Sequence, residues 1–177
     1  MTISIRPMRP GDAPYLPDIE QSAGERFRNI PDLAWVANGE NLPEARHLEL
    51  MAGGACWVAE AEEGGRLVAF LSAEQAGDCL HIWELAVVYD RQGQGIGRAL
   101  MARAINEAKA RRLAAITLST FRNVPWNDAM YRRMGFSTLA PDELDLRLTA
   151  ILDQEVASGL PPERRCAMRL QLDQAGS

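Results

Sequence analysis

The sequence predicts an α/β (α+β) domain, and three stretches carry that reading. Residues 55–88, ACWVAEAEEGGRLVAFLSAEQAGDCLHIWELAVV, read as a meander of three strands, turned by Gly64-Gly65 and by Ala76-Gly77-Asp78. From Arg98 to Arg112 the apolar residues Ala99, Leu100, Ala104, Ile105 and Ala108 recur at helical spacing against Arg103, Asn106, Glu107 and Lys109. The stretch AAITLST, residues 114–120, is then a β-branched strand of the continuous, buried kind.

The remaining elements follow in chain order. Ile3 to Pro7 is a short strand, and Asp12 is placed to cap a helix whose apolar face includes Leu16 and Ile19. An irregular, helical region runs to about Ala52, with Trp35, Val36, Leu42, Leu48 and Leu50 as core or as a lid over a pocket. Residues 126–134 form a short helix stopped by Gly135, a residue that tolerates the left-handed conformation. A longer helix spans Pro141 to Ser158 and closes at Gly159, and RRCAMRLQL is a final strand. No internal repeat, linker or low-complexity segment interrupts the chain.

At 177 residues the chain suits one domain with a core large enough to need no staple. Nineteen Lys and Arg against 24 Asp and Glu give a net charge of −5 with no long run of either sign. That balance speaks against a nucleic-acid partner and for attraction of cationic small molecules. Cys56, Cys79 and Cys166 are odd in number and far apart, and His47 and His81 are the two histidines. Neither a disulfide framework nor a metal site is indicated, which fits a reducing cytoplasm. The first residues lack the apolar core of a signal peptide, and no stretch approaches the ~20 apolar residues of a membrane span, so a soluble protein with no membrane partner is expected.

The functional signal lies in YDRQGQGIGRAL, residues 89–100, where Gly93, Gly95 and Gly97 precede a helix. A strand, a glycine turn and a helix mouth present unsatisfied amides at the positive end of a helix dipole, which suits an anion, phosphate above all. A P-loop would need a Gly-Lys pair, which the chain lacks. A dinucleotide fingerprint would need a third glycine where Arg98 or Leu100 stands.

The remaining pattern, Gln92-x-x-Gly95-x-Gly97, resembles the Gln/Arg-x-x-Gly-x-Gly/Ala signature of the GNAT superfamily of N-acetyltransferases. The likeness extends over nearly the whole chain: IRPMRPGDAPYL resembles the family's opening, WELAVVYDRQGQGIGRALM its coenzyme core and AMYRRMGF its Tyr-x-x-x-Gly-Phe ending. It implies a mixed, mostly antiparallel twisted sheet of about seven strands, splayed between the fourth and fifth and flanked by helices. It also implies acetyl-CoA as cosubstrate, without a metal. The pyrophosphate would lie on Gln92, Gly93, Gln94, Gly95, Ile96, Gly97 and Arg98, and the pantetheine would pair with the main chain of Leu85, Ala86 and Val87 as an added strand does.

Acyl transfer to an amine needs a base for the ammonium and a proton for the departing thiolate. By resemblance Tyr131 is the acid. Two residues compete as base, His81 and Glu84, and strand alternation puts them on opposite faces. His81 stands where histone-type members carry a glutamate and where arylalkylamine N-acetyltransferases carry the first of two histidines; Trp83 replaces the second. A histidine near its ordinary pKa of ~6.5 could take the proton. The asparagine that many members place seven residues before the tyrosine is Val124 here, which leaves Asn123, favoured, or Asn127 for the coenzyme contact. Ser119 and Thr120 are expected to face the acceptor pocket, with Trp126 as pocket wall or core.

Glu20, Glu25, Asp32, Glu40 and Glu44 would suit a cationic acceptor and equally a solvated surface. Two functions stay open: an acetyl-CoA-dependent N-acetyltransferase acting on a small-molecule primary amine, with a homodimer compatible, and a non-catalytic acyl-CoA-binding module.

Overall fold

The computed structural model describes residues 2–173, which fall into two compact units. The first comprises the chain up to Gln75 together with Trp83–Glu107; the second comprises Ala76–Ile82 and the chain from Ala108 onward. Among the described residues the strands are β1 (Ile3–Pro7), β2 (Cys56–Ala61), β3 (Leu67–Ala76), β4 (Cys79–Val87), β5 (Ala115–Phe121), β6 (Ser137–Thr138) and β7 (Arg165–Gln171). They form a seven-stranded sheet in the order β1-β2-β3-β4-β5-β7-β6. The pairs β1–β2, β2–β3, β5–β7 and β6–β7 are antiparallel, and β4–β5 is parallel. The helices are α1 (Leu16–Gly24), α2 (Glu44–Met51), α3 (Ile96–Ala110), α4 (Asp128–Arg133) and α5 (Leu146–Ala157). This is the mixed, helix-flanked sheet that the glycine motif implied.

In the first unit, Gly64 and Gly65 turn β2 into β3 with φ of +85° and +63°, values an L side chain rarely adopts. Asp12 does not cap α1. It lies in a short 3-10 turn, Pro10–Tyr15, where its carboxylate accepts from the Arg9 amide at 2.7 Å and pairs with Arg6 at 2.8 Å. The reason is local: these donors are nearer, and Pro17 offers α1 no amide to cap. Two further 3-10 turns, Glu25–Asn29 and Pro31–Asn38, lead toward α2. Leu33, Ala37 and Leu50 are buried there, whereas Trp35 is 45% and Leu48 40% exposed, so of the two alternatives expected for them, core or lid, these two are not core. Of the apolar face expected for α3, Leu100, Ala104 and Ala108 are buried and Ala99 and Ile105 only partly so, while Ile96 and Met101 join the buried side.

In the second unit, β4 and β5 pair from Cys79↔Ala115 to Ile82↔Leu118, and β5 and β7 from Ala115↔Gln171 to Phe121↔Arg165. Leu80, Ile116, Leu118 and Met168 form the buried faces of these strands. Gly135 follows α4 with φ of +95° and places Phe136 in the interior. The helix expected over Pro141–Ser158 is shorter. Pro141–Glu143 makes its own 3-10 turn, and Asp145 caps α5 by accepting from the Leu148 amide at 2.7 Å. Gly159, at φ +98°, ends it as expected.

Candidate functional site

The glycine loop is a left-handed turn followed at once by α3. Gly93 and Gly95 have φ of +75° and +83°, and a Cβ on either would meet no atom within 4 Å, so backbone conformation and not crowding requires glycine. A Cβ on Gly97 would lie 3.6 Å from Val87 Cγ2 and 3.9 Å from Leu85 Cδ2. The first α3 amide with a backbone acceptor is Ala99, which donates to Gly95 O at 3.0 Å. Among the described residues, those of Ile96, Gly97 and Arg98 have none. No acidic residue stands in the first turn of α3. Three open donors at the positive end of a 15-residue helix fit an anion.

Gln92 turns inward. Its Nε2 donates to Val87 O at 3.0 Å and to Ala23 O at 3.2 Å, tying the loop to β4 and α1. Gln94 Nε2 closes the turn on Asp90 O at 3.3 Å. On β4, the Leu85 amide donates to the Glu84 carboxylate at 3.1 Å, and Val87 O is the carbonyl taken by Gln92. Ala86 between them is buried.

Glu84 has a second carboxylate for a neighbour. Glu20 of α1 is held well above the ordinary carboxylate range, at about 8, first by burial and then by the negative charge of Glu84. The Leu42 amide, donating to Glu20 Oε2 at 3.0 Å, opposes that rise. Sequence reading placed Glu20 among five acids without distinction, because nothing local marks a carboxylate that tertiary packing brings beside another. Trp83 belongs to a separate cluster: its Nε1 donates to Glu74 Oε2 at 2.9 Å, and the Arg46 guanidinium lies 5.2 Å over its ring while binding the same carboxylate.

In the second unit His81 is buried with Thr117, Nδ1 to Oγ1 at 2.9 Å, and Arg147 Nη2 of α5 donates to the same oxygen at 3.0 Å. Burial, reinforced by the Arg147 cation, pushes the imidazole down to about 3. The ordinary basicity expected of it is therefore absent. Neither Arg147 nor Thr117 was legible as part of this group, since the contacts join three separate elements.

Tyr131 is buried on α4, its ring meeting Phe136 edge-on at 5.6 Å. Asn123 is exposed in a left-handed conformation, φ 56°, and Val124 beside it is buried. The organiser of this turn is Asp128, which the sequence reading passed over. Its buried carboxylate accepts from the amides of Asn123 (3.2 Å), Val124 (3.3 Å) and Ala129 (3.0 Å) and pairs with Arg132 at 3.2 Å. Ser119 and Thr120 do not share a face, as neighbours in a strand cannot. Ser119 donates to Glu155 Oε1 and lies 3.3 Å from Arg165 Nη2, within a Glu155–Arg165 ion pair of 2.9 Å. Thr120 is buried and Trp126 partly so. Among the described residues no group of three or more His, Cys, Asp or Glu could hold a metal ion, and no helix is long and apolar enough to cross a membrane.

A glycine cradle of this kind, set between β4 and α3 of a seven-stranded mixed sheet, defines an acyltransferase-type fold. Residues 24–136 match the acetyltransferase (GNAT) family, and the chain belongs to it. Among solved structures, the ribosomal-protein-S18-alanine N-acetyltransferase from Escherichia coli is similar, with 20% identity, TM-score 0.68 and coverage of 99% of this chain and 97% of that one. The PaiA N-acetyltransferase from Thermoplasma acidophilum, in complex with coenzyme A, is 14% identical with TM-score 0.69, covering 97% and 100%. Rv2747 from Mycobacterium tuberculosis, in complex with CoA and NLQ, is 20% identical with TM-score 0.69, covering 96% and 99%. At these identities the likeness is one of fold.

Proposed function

We propose that the protein is an N-acetyltransferase that moves the acetyl group of acetyl-CoA directly to a primary amine of a small molecule in a ternary complex. The observation that carries this reading is the set of open amides of Ile96, Gly97 and Arg98 behind the left-handed glycines, donors suited to a pyrophosphate. Coenzyme-bound relatives of the same fold support acetyl-CoA as the cosubstrate. The β4 main chain at Leu85–Val87 is the pantetheine track in this reading, with the Leu85 amide exchanging Glu84 for the ligand.

Between the two base candidates, the physical chemistry favours Glu84. An imidazole held near 3 carries no useful driving force to deprotonate an ammonium, whereas Glu84 shares a site with a carboxyl poised at about 8. An ammonium entering beside Glu84 and Glu20 stabilises their ionised forms and lowers Glu20, so its binding releases a proton. The pair then accepts the ammonium proton, the freed amine attacks the acetyl carbonyl, the C–S bond breaks as Tyr131 gives its proton to the departing thiolate, and the extra proton on the acylated nitrogen restores the phenol. The step balances as acetyl-CoA plus ammonium giving amide, free thiol and one proton, which the carboxylates hold and then release.

The test is release of free thiol from acetyl-CoA over a panel of amines, amino acids, polyamines, aminoglycosides and peptides. Amine-dependent release, strongest on a small primary amine, supports the reading. Coenzyme binding with no release on any amine would instead support an acyl-CoA-binding module.

A further inference from the structure

His81, Thr117 and Arg147 form a line of three groups whose hydrogen atoms can be counted. His81 and Thr117 are register partners in the β4–β5 ladder, at 1% and 0% exposure, and Arg147 comes from the first turn of α5. A guanidinium has only donors, so at 3.0 Å the Thr117 oxygen accepts from Arg147 Nη2. Thr117 then has one proton to place. Among the described residues its hydroxyl has one other partner, His81 Nδ1 at 2.9 Å.

If Nδ1 carried a proton, two N–H groups would converge on one oxygen and the hydroxyl proton would be buried without an acceptor, an arrangement folded proteins avoid. If Nδ1 is bare, all three groups are satisfied in sequence, Arg147 to Thr117 to His81. We infer that Arg147 and Thr117 are positioning residues that hold His81 as the neutral imidazole protonated on Nε2, a hydrogen-bond donor through that nitrogen and not a proton acceptor.

The charges around the ring agree with this. Arg147 opposes a second cation beside it. Asp145 favours one, yet its carboxylate is spent on the Leu148 amide at 2.7 Å. Arg169, opposite Thr117 on β7, turns to Gln171 Oε1 at 3.3 Å. Arg147 Nη1 is itself buried without an acceptor, so the bond to Thr117 is the described hydrogen bond that holds this guanidinium in place.

The chain has two histidines, so nitrogen-detected NMR of the full chain labelled at histidine reads His81 directly, with His47→Gln assigning the signals. The expected result is an unprotonated Nδ1 and a protonated Nε2 that do not titrate between pH 8 and 5. Thr117→Val should abolish the single-tautomer signature while Thr117→Ser keeps it. Arg147→Met should shift the His81 titration upward, and Arg147→Lys should restore the wild-type position. A proton on Nδ1 in the wild-type chain, or titration near pH 6.5, would overturn the inference, and both are read on the wild-type chain itself once His47→Gln has assigned its two histidine signals. Unchanged His81 signals in a folded Thr117→Val would overturn it equally. None of these readings requires acetyl transfer, so they stand apart from the assay of the proposed activity.

Discussion

Glu20 makes the pH dependence of stability an unusual one for a protein with 24 acidic residues. Its carboxyl moves from 4.5 when unfolded to about 8 when folded, so between those values the native state holds a proton that the unfolded state has lost. Stability must therefore fall as pH rises through that window, at up to ~1.36 kcal/mol per pH unit. His81 acts in the opposite sense: its folded value of about 3 against 6.5 unfolded means stability is lost as pH falls below 6.5. His47, also lowered by burial, acts on the same side. The two effects oppose each other between pH 4.5 and 6.5, and the buried cysteines contribute only near and above 9. The window from 6.5 to 8 belongs to Glu20 and should show a loss of about 2 kcal/mol, 1.5 units at that slope. Urea unfolding followed by the fluorescence of the four tryptophans measures it, and Glu20→Gln should flatten the curve between 6.5 and 8 while leaving stability near pH 5 little changed. Glu84→Gln, by removing the neighbouring charge, should bring Glu20 closer to its ordinary value, so that the fall is smaller and ends at a lower pH. A wild-type curve that is level or rising over that window, or the same fall in Glu20→Gln, would refute the placement of Glu20 in a buried, like-charged pair.

Tyr131→Phe keeps the ring against Phe136 and removes one proton, so kcat should fall by about 10²-fold or more with coenzyme affinity unchanged; near-normal kcat where chemistry limits the rate returns Tyr131 to a packing role. Glu84→Gln should lower kcat by at least a comparable factor and spare the coenzyme dissociation constant, and a rate that survives it but not a folded His81→Leu would reverse the assignment of the base. Asp128→Ala leaves the buried Val124 amide and the partly buried amides of Asn123 and Ala129 without their acceptor, and should cost about 1–3 kcal/mol in urea unfolding, most of it from the Val124 donor that water does not reach.

What could be read from the residues was what periodicity and glycine encode. The strands of the meander, α3 and the helix stops at Gly135 and Gly159 follow from patterns within a few residues, and they stand where those patterns put them. The two-residue β6 leaves too short a pattern to read. The start of α5 was missed because Pro141 and Asp145 are both good helix openers, and only the bond from the Leu148 amide decides for Asp145. The residues leave Trp35 between core and lid because apolarity alone does not say which side of a 3-10 turn faces inward, and its exposure removes the core alternative. The candidate site divides in the same way: the loop from Gln92 to Arg98 is local and legible. By contrast, the proximity of Glu20 to Glu84, the Arg147–Thr117–His81 line and the three amides on Asp128 join residues that only folding brings together.

The most direct test of the central claim is a calorimetric titration of coenzyme A into the wild-type chain and into Gly97→Trp. A side chain at Gly97 grows from a Cβ already in contact with Val87 and Leu85, at the mouth where the open amides of α3 emerge. The account predicts saturable one-to-one binding in the wild type and none in a Gly97→Trp chain that keeps its circular dichroism spectrum. Unchanged affinity in that folded variant, or no binding to the wild type, would contradict it.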